Sequence, residues 1–243
     1  YSTERFFTLA HNSLTLAAVT AALAVALSLL LAYNARLYPG PLARSLNRLV
    51  SLGYAVPGIV IAVGVLIPLA RFDNALDAWM RATFGVSTGL LLTGTMAALV
   101  YAYLVRFLSA ALHTVEAGLT KVRPSMDDAA RSLGVAPLET LVRVHAPMLA
   151  RSLLTAGLLV FVDVMKELPA TLVMRPFNLD TLATQVFNLA ADERLAEAAL
   201  PSLAIVVVGL VPLIIVARQI ARTALPTGVS AAAVFPEQGL ERR

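Results

Sequence analysis

Four stretches of this chain contain no charged residue and are long enough to cross a lipid bilayer as helices, and a fifth is interrupted by charges. About 20 apolar residues span the hydrocarbon core as an α-helix, whereas a strand of a membrane barrel needs only about 10. We therefore expect an all-α membrane protein with about five transmembrane helices. The uncharged stretches cover residues 12–35, 49–70, 82–105 and 198–217, and the interrupted one covers residues 151–174.

The composition agrees with this class and excludes several kinds of site. Of the 243 residues, 58% are hydrophobic and 14% are charged, and the mean hydropathy is +0.78. No cysteine is present, which excludes a disulfide framework and a thiolate metal site. His11, His113 and His145 stand far apart in the sequence, so each is interpreted as an ordinary loop histidine and no metal site is expected. The net charge of +4 comes from loop arginines, so the expected surroundings are membrane lipid and not nucleic acid.

Three local patterns predict how the spans pack and bend. The first span carries alanines four residues apart, which would let a neighbouring helix approach closely. A proline inside the second span predicts a kink, and residues 71–81 predict a short helix lying at the membrane surface. The alanines are Ala18, Ala22 and Ala26, and the proline is Pro57, followed by Gly58.

The distribution of Lys and Arg predicts the orientation. One set of alternate loops, with Arg106 counted in it, carries thirteen of these residues and the other carries five. The richer side faces the cytoplasm, so residues 1–11 form a periplasmic lead-in and the polar segment at about 109–150 is cytoplasmic. Residues 223–243 are predicted to be a disordered cytoplasmic tail. Because the chain starts at Tyr1 and its N-terminus lies outside, we expect a further span before it.

The polar segment predicts a helical hairpin that docks a soluble partner. Pro124 suits the first turn of a helix, where Asp127 and Asp128 complement the positive helix end. Gly134 favours the left-handed conformation that ends a helix, and Pro137 opens a second one. Between the first helix turn and the glycine, Ala129 and Ala130 are expected to expose a small, flat surface.

The interrupted span holds ionisable residues within the membrane. Charged groups there cost about 2.5–3.5 kcal/mol each on insertion scales, so they face a protein interior or a wet cavity. Asp163 and Glu167 would share a helix face, Lys166 would lie one turn from Asp163, and Pro169 would unwind the helix locally. Two interpretations stay open: a polar lining of a translocation path, or a structural ion pair between helices.

The hairpin sequence resembles the EAA loop of type I ABC importer permeases. Asp128-Ala129-Ala130, then Gly134 after three residues, then the run from Val144 to Pro147 follow that pattern. Asp replaces Glu, Val replaces Ile, and Ala146 replaces Leu. The resemblance implies a permease domain over residues 12–222, with a coupling helix that docks on a nucleotide-binding ATPase subunit.

The same resemblance implies a division of labour between subunits. The chain has no phosphate-binding Gly-x-x-x-x-Gly-Lys-Ser/Thr loop, so it is expected to be a transport permease and not an enzyme. It would need no cofactor of its own, since ATP and Mg would bind to the partner ATPase. Asp128, Ala129, Ala130, Gly134 and Pro147 are the residues expected to couple to that subunit.

A second resemblance concerns the substrate. The segments 166–172, 175–177, 180–184 and 198–201 are similar to those of ferric-iron importer permeases of the bacterial inner membrane. This implies that the substrate is iron(III), delivered by a periplasmic binding protein. It also implies that the permease has two halves, of which this chain would be the second.

Two other functions stay open from the sequence. A permease of the same fold for polyamine, thiamine or an oxyanion would share the hairpin. A secondary transporter driven by an ion gradient would explain the charges inside the membrane but leave the hairpin without a purpose.

Overall fold

The structure, a computed structural model, describes residues 3–224, and this part of the chain is helical without a β-strand. Thr223 and Ala224, predicted to begin the disordered tail, belong to the last helix, and the expectation for residues 225–243 lies outside the described residues. The helices are α1 (Thr3–Leu37), α2 (Pro41–Ser51), α3 (Gly58–Phe84), α4 (Met96–Leu119), α5 (Ser125–Ser132), α6 (Pro137–Thr140), α7 (Ala146–Met148), α8 (Ala150–Met165), α9 (Pro169–Met174), α10 (Leu182–Ala191) and α11 (Leu195–Ala224). A 3₁₀ turn covers Gly53–Ala55, and a π-helical turn covers Leu141–His145.

The long helices confirm the all-α membrane fold. Four apolar helices are long enough to cross a bilayer, namely α1, α3, α4 and the described part of α11. A fifth apolar segment, α8, is preceded by the helical stretch Pro137–Met148 at a bend of 81°. The second half of the polar hairpin (residues 125–148) therefore turns away from the direction of α8.

Small side chains hold the centre of the bundle together. The helices α1, α4 and α8 pack on one another, and small residues at their contacts have no exposed surface. Such residues let helix backbones approach closely where lipid offers no hydrophobic driving force. They are Ala17, Ala24, Ala102, Ala111 and Ala156.

The face of α1 that is buried differs from the predicted one. Ala18, Ala22 and Ala26 are exposed in this chain, whereas Ala17 and Ala24 are buried. The predicted kink in the second span is also wrong. Pro57 lies immediately before the first residue of α3, where its missing N–H has no helical partner to lose.

Two further boundaries were placed wrongly. Residues 71–81 belong to α3 and do not form a separate surface helix. The third span runs from Met96 to Leu119, so it extends into the range 109–150 assigned to the polar segment. Two aspartates of α3 fix the intervening loop 85–95: Asp73 accepts from the backbone N–H of Leu92 and Thr93, and Asp77 from that of Thr88 and Gly89.

Gly53 allows the 3₁₀ turn to lie directly against α4. A Cβ at this position would overlap the carbonyl oxygen of Val105, which belongs to a helix backbone and cannot move aside. Gly53→Ala is therefore expected to lower the thermal unfolding temperature of the detergent-solubilised protein by several degrees. The matched control is Gly64→Ala, because nothing lies within 4 Å of a Cβ there and alanine favours helix. Equal melting temperatures for the two variants would contradict this packing.

Candidate functional site: the polar hairpin and the broken span

The polar hairpin has the predicted helix–glycine–helix form. Gly134 ends α5 with a φ of 74°, and Pro137 is the first residue of α6. Asp128, Ala129 and Pro147 are exposed, but Ala130 is only 9% exposed and packs inside the chain. The predicted flat surface of two alanines is thus reduced to Ala129.

Three large apolar side chains of the hairpin are exposed instead. Leu133, Leu138 and Val142 are 81%, 64% and 60% exposed. They lie in a segment that also carries charges at the surface, including the Glu139–Arg143 pair at 2.7 Å. We call Leu133, Leu138 and Val142 the apolar patch. Exposed apolar residues beside charged ones are typical of surfaces that contact other proteins.

One acidic residue of the hairpin faces inward. Asp127 binds Arg36 through Oδ2 at 2.8 Å and His145 through Oδ1 at 2.6 Å. Although burial opposes ionisation, hydrogen bonds from His145 and Arg36 hold the pKa of Asp127 below its ordinary value, so the group is a carboxylate at neutral pH. No local sequence pattern indicates this pairing, and His145 was interpreted as an ordinary loop histidine.

The interrupted span is broken where its charges lie. The helix α8 ends at Met165, and α9 begins at Pro169, so Lys166, Glu167 and Leu168 connect two helices. Unwinding near Pro169 was predicted, but it starts three residues before the proline. Since the helix ends first, Asp163 and Glu167 do not share a helical face.

The charges of the broken span form two separate pairs. Lys166 Nζ lies 3.0 Å from Asp163 Oδ1, as their spacing predicted, and its side chain is 61% exposed. Glu167 is 6% exposed and pairs with Arg106 of α4, whose Nε is 3.5 Å from Oε2. The other carboxylate oxygen, Oε1, accepts from the backbone N–H of Ala170 and so caps the start of α9.

Arg106 was missed because the third span was placed too early. It lies inside α4, about 15 Å along the helix from Met96, and is not a loop residue. The side chain of Thr95, which accepts from the N–H of Ala98, caps α4 and is the sequence signal that could have set this boundary. Without Arg106, the count of basic residues still favours the same side, by twelve to five.

Gly58 makes room for the ion pair. A Cβ at Gly58 would overlap Nη1 of Arg106 and come within 2.6 Å of Oε1 of Glu167. Three elements therefore meet at this pair: the start of α3, the middle of α4 and the break before α9. Among the described residues, no group of three or more His, Cys, Asp or Glu side chains could hold a metal ion.

Comparison with known proteins identifies the family to which this architecture belongs. Residues 24–223 match the family described as binding-protein-dependent transport system inner membrane component. The chain belongs to this family of ABC importer permeases. One relative is the Fe(3+)-transport system permease protein FbpB 2 of Haemophilus influenzae, which is 27% identical over 215 residues. That match covers 88% of this chain and 39% of the relative, so the chain spans about two fifths of the relative's length.

Solved structures share the permease fold. A bacterial ABC transporter involved in the import of the acidic polysaccharide alginate aligns with a TM-score of 0.64 and 14% identity, covering 93% of this chain and 82% of that one. The alginate transporter in complex with an alginate pentasaccharide-bound periplasmic protein aligns with a TM-score of 0.61 and 14% identity, covering 94% and 82%. Both likenesses are to the fold of the permease.

Proposed function

We propose that this chain is a permease half or subunit of an ATP-driven importer for ferric iron in the bacterial inner membrane. A periplasmic binding protein delivers the iron, a second permease half completes the path, and a separate ATPase subunit binds ATP and Mg. The N-terminus is periplasmic and the C-terminus cytoplasmic, as the excess of basic residues on one side favours. This chain itself contributes neither a cofactor nor an ATPase site.

The apolar patch on the polar hairpin is the observation that carries the proposal. Leu133, Leu138 and Val142 lie within eight residues of Gly134 and are exposed in the described chain. An ATPase subunit seated there would bury them, with Asp128 and Ala129 at the same surface. Pro147, in α7, connects this surface to α8, so a displacement of the hairpin reaches the broken span through the backbone.

The broken span supplies the proposed path. Lys166 is largely exposed near the outer part of the span, where a charge facing lipid is costly, so it faces water or a partner subunit. Asp163, in the last turn of α8, pairs with Lys166, while Glu167 pairs with Arg106 inside the chain. We propose that Asp163, Lys166, Glu167 and Pro169 line the path and that the chain break allows it to open.

Iron is favoured over other cargo by the relative. The matched Haemophilus permease is described as part of a Fe(3+)-transport system. The hairpin itself cannot distinguish iron from the polyamines, thiamine or oxyanions carried by permeases of the same fold. The choice of iron therefore depends on the likeness that extends through residues 166–201.

A substrate panel tests this choice. The intact transporter, reconstituted with its ATPase and binding protein, is assayed for ATP hydrolysis with ferric iron, spermidine, thiamine, phosphate or sulfate as ligand. We expect only ferric iron to stimulate hydrolysis, because only the loaded binding protein drives the closed conformation. Stimulation by another ligand and not by iron would retain the importer but refute the substrate.

A further inference from the structure

Asp127 and Asp128 are neighbours on α5 but differ in exposure. Asp128 is exposed, at the surface proposed for docking, whereas the side chain of Asp127 is only 11% exposed. The proposed contact with an ATPase has no use for a carboxylate that points into the permease. Its partners are Arg36 of α1, which is 91 residues away, and His145 in the second half of the hairpin, which is 18 residues away. Asp127 therefore connects α5 both to the other half of the hairpin and, through Arg36, to the rest of the bundle.

Arg36 connects α5 to the ends of α1 and α4. Its Nε donates to Asp127 Oδ2 at 2.8 Å, while Nη1 donates to the carbonyl of Leu119 and Nη2 to that of Val122, each at 2.9 Å. Leu119 is the last residue of α4 and Val122 lies in the turn that leads to α5. One side chain in the last turn of α1 thus holds three segments, and charge-assisted bonds of this kind are among the stronger ones.

His145 occupies the second oxygen of the same carboxylate. Its Nε2 lies 2.6 Å from Oδ1 of Asp127, and the side chain has no exposed surface. The ring of Tyr33, one turn before Arg36 on α1, lies 5.0 Å from the imidazole, centre to centre. His145 ends the π-helical turn Leu141–His145, a rare element that often occurs at functional sites.

We infer that Asp127 is a positioning residue that makes α5, the π-helical turn and the cytoplasmic end of α1 move as one unit when the ATPase moves the hairpin. The inference rests on the proposed function. Each carboxylate oxygen is bound by a different element, so a displacement of α5 pulls on α1 and on residues 141–145 together. Since α1 packs along α4 and α8, the motion reaches the bundle by a route additional to the backbone through α7.

The test separates coupling from stability. The intact transporter is purified with Asp127→Asn, which keeps the shape but removes the charge, and with Asp127→Glu, which restores it. Assembly with the ATPase, basal ATP hydrolysis and the amount of substrate transported per ATP are measured. Glu197→Gln is the control, since it removes one carboxylate from the exposed Arg194–Glu197 pair far from the hairpin.

A positioning role predicts a specific pattern. Asp127→Asn should assemble and hydrolyse ATP near the wild-type rate but transport about tenfold less per ATP, within the range for residues of a coupling network. Asp127→Glu should recover most of this ratio, and the control should keep all of it. An unchanged amount of substrate transported per ATP in Asp127→Asn would overturn the inference. So would a loss of assembly that matches the loss of transport and that Asp127→Glu does not restore.

Variants of His145 provide an independent measurement. His145→Gln keeps an amide donor for Oδ1 of Asp127 and is expected to retain the wild-type ratio, whereas His145→Leu is expected to lower it as Asp127→Asn does. Equal ratios for the two would contradict the inference. If the wild-type transporter neither binds an ATPase nor transports with ATP, the proposed function fails as well, and that result is distinct from a changed ratio.

Discussion

Replacing Gly134 by arginine is expected to abolish transport and to weaken binding of the ATPase subunit by about a hundredfold or more, as a clash at the centre of an interface does. Gly134 has a φ of 74°, and nothing lies within 4 Å of a Cβ there, so within this chain the cost of an arginine is limited to the backbone strain of a left-handed φ. The added side chain would instead project from the apolar patch into the partner. Co-purification of the ATPase and uptake of substrate measure the two effects.

The chain offers a matched control for backbone strain. Gly85, in the loop between α3 and α4, has a φ of 66° and also has open space around it. Gly85→Arg should therefore carry the same conformational cost, about 1–2 kcal/mol, at the opposite end of α4. ATPase binding that survives in Gly85→Arg and is lost in Gly134→Arg identifies docking as the cause. An equal loss of ATPase binding in the two variants would mean that backbone strain causes the effect, and it would contradict the docking role of the hairpin.

Removing one partner of the Arg106–Glu167 pair is expected to destabilise the protein by about 3–5 kcal/mol, because the other charge is left buried without its counter-ion. Glu167 is 6% exposed and Arg106 is partly buried, so water cannot fully replace the lost partner. Arg106→Met and Glu167→Gln should each lower the thermal stability of the purified protein and its yield in the membrane.

The double variant separates stability from transport. Arg106→Met with Glu167→Gln removes both charges, while the glutamine oxygen can still accept from the N–H of Ala170. Stability should return to near the wild-type value, since replacing a whole buried pair is often neutral. Transport should stay low if Glu167 lines the path. Full transport by the double variant would show that the Arg106–Glu167 pair has only a structural role. Wild-type stability in the single variants would show that neither charge depends on its partner, which would contradict a buried pair.

Local signals explain what the sequence could predict. The hairpin was predictable because Pro137 and Gly134 each act within a turn of their own positions, and the left-handed φ at Gly134 agrees with that interpretation. The number of apolar helices also follows from the length of uncharged runs. Hydrophobicity is a weaker guide to helix boundaries, because the run 82–105 includes the loop 85–95 and omits more than half of α4.

The pairings could not be predicted because their partners are distant in the sequence. Arg36 and Asp127 are 91 residues apart, and nothing in the sequence around either arginine distinguishes Arg36 or Arg106 from the loop arginines. The partner of Glu167 was unpredictable for a further reason. The helix ends at Met165, which turns Glu167 away from Asp163 and toward α4. Backbone breaks of this kind depend on the packing of neighbouring helices.

ATP-dependent iron uptake by the reconstituted intact transporter tests the central claim most directly. Proteoliposomes containing the transporter and its ATPase are given the iron-loaded binding protein, with ATP on the ATPase side or with an imposed proton or sodium gradient instead. We predict that iron accumulates only when ATP and the binding protein are both present. Accumulation driven by the ion gradient without ATP would contradict the proposed importer, since the polar hairpin would then have no ATPase to couple.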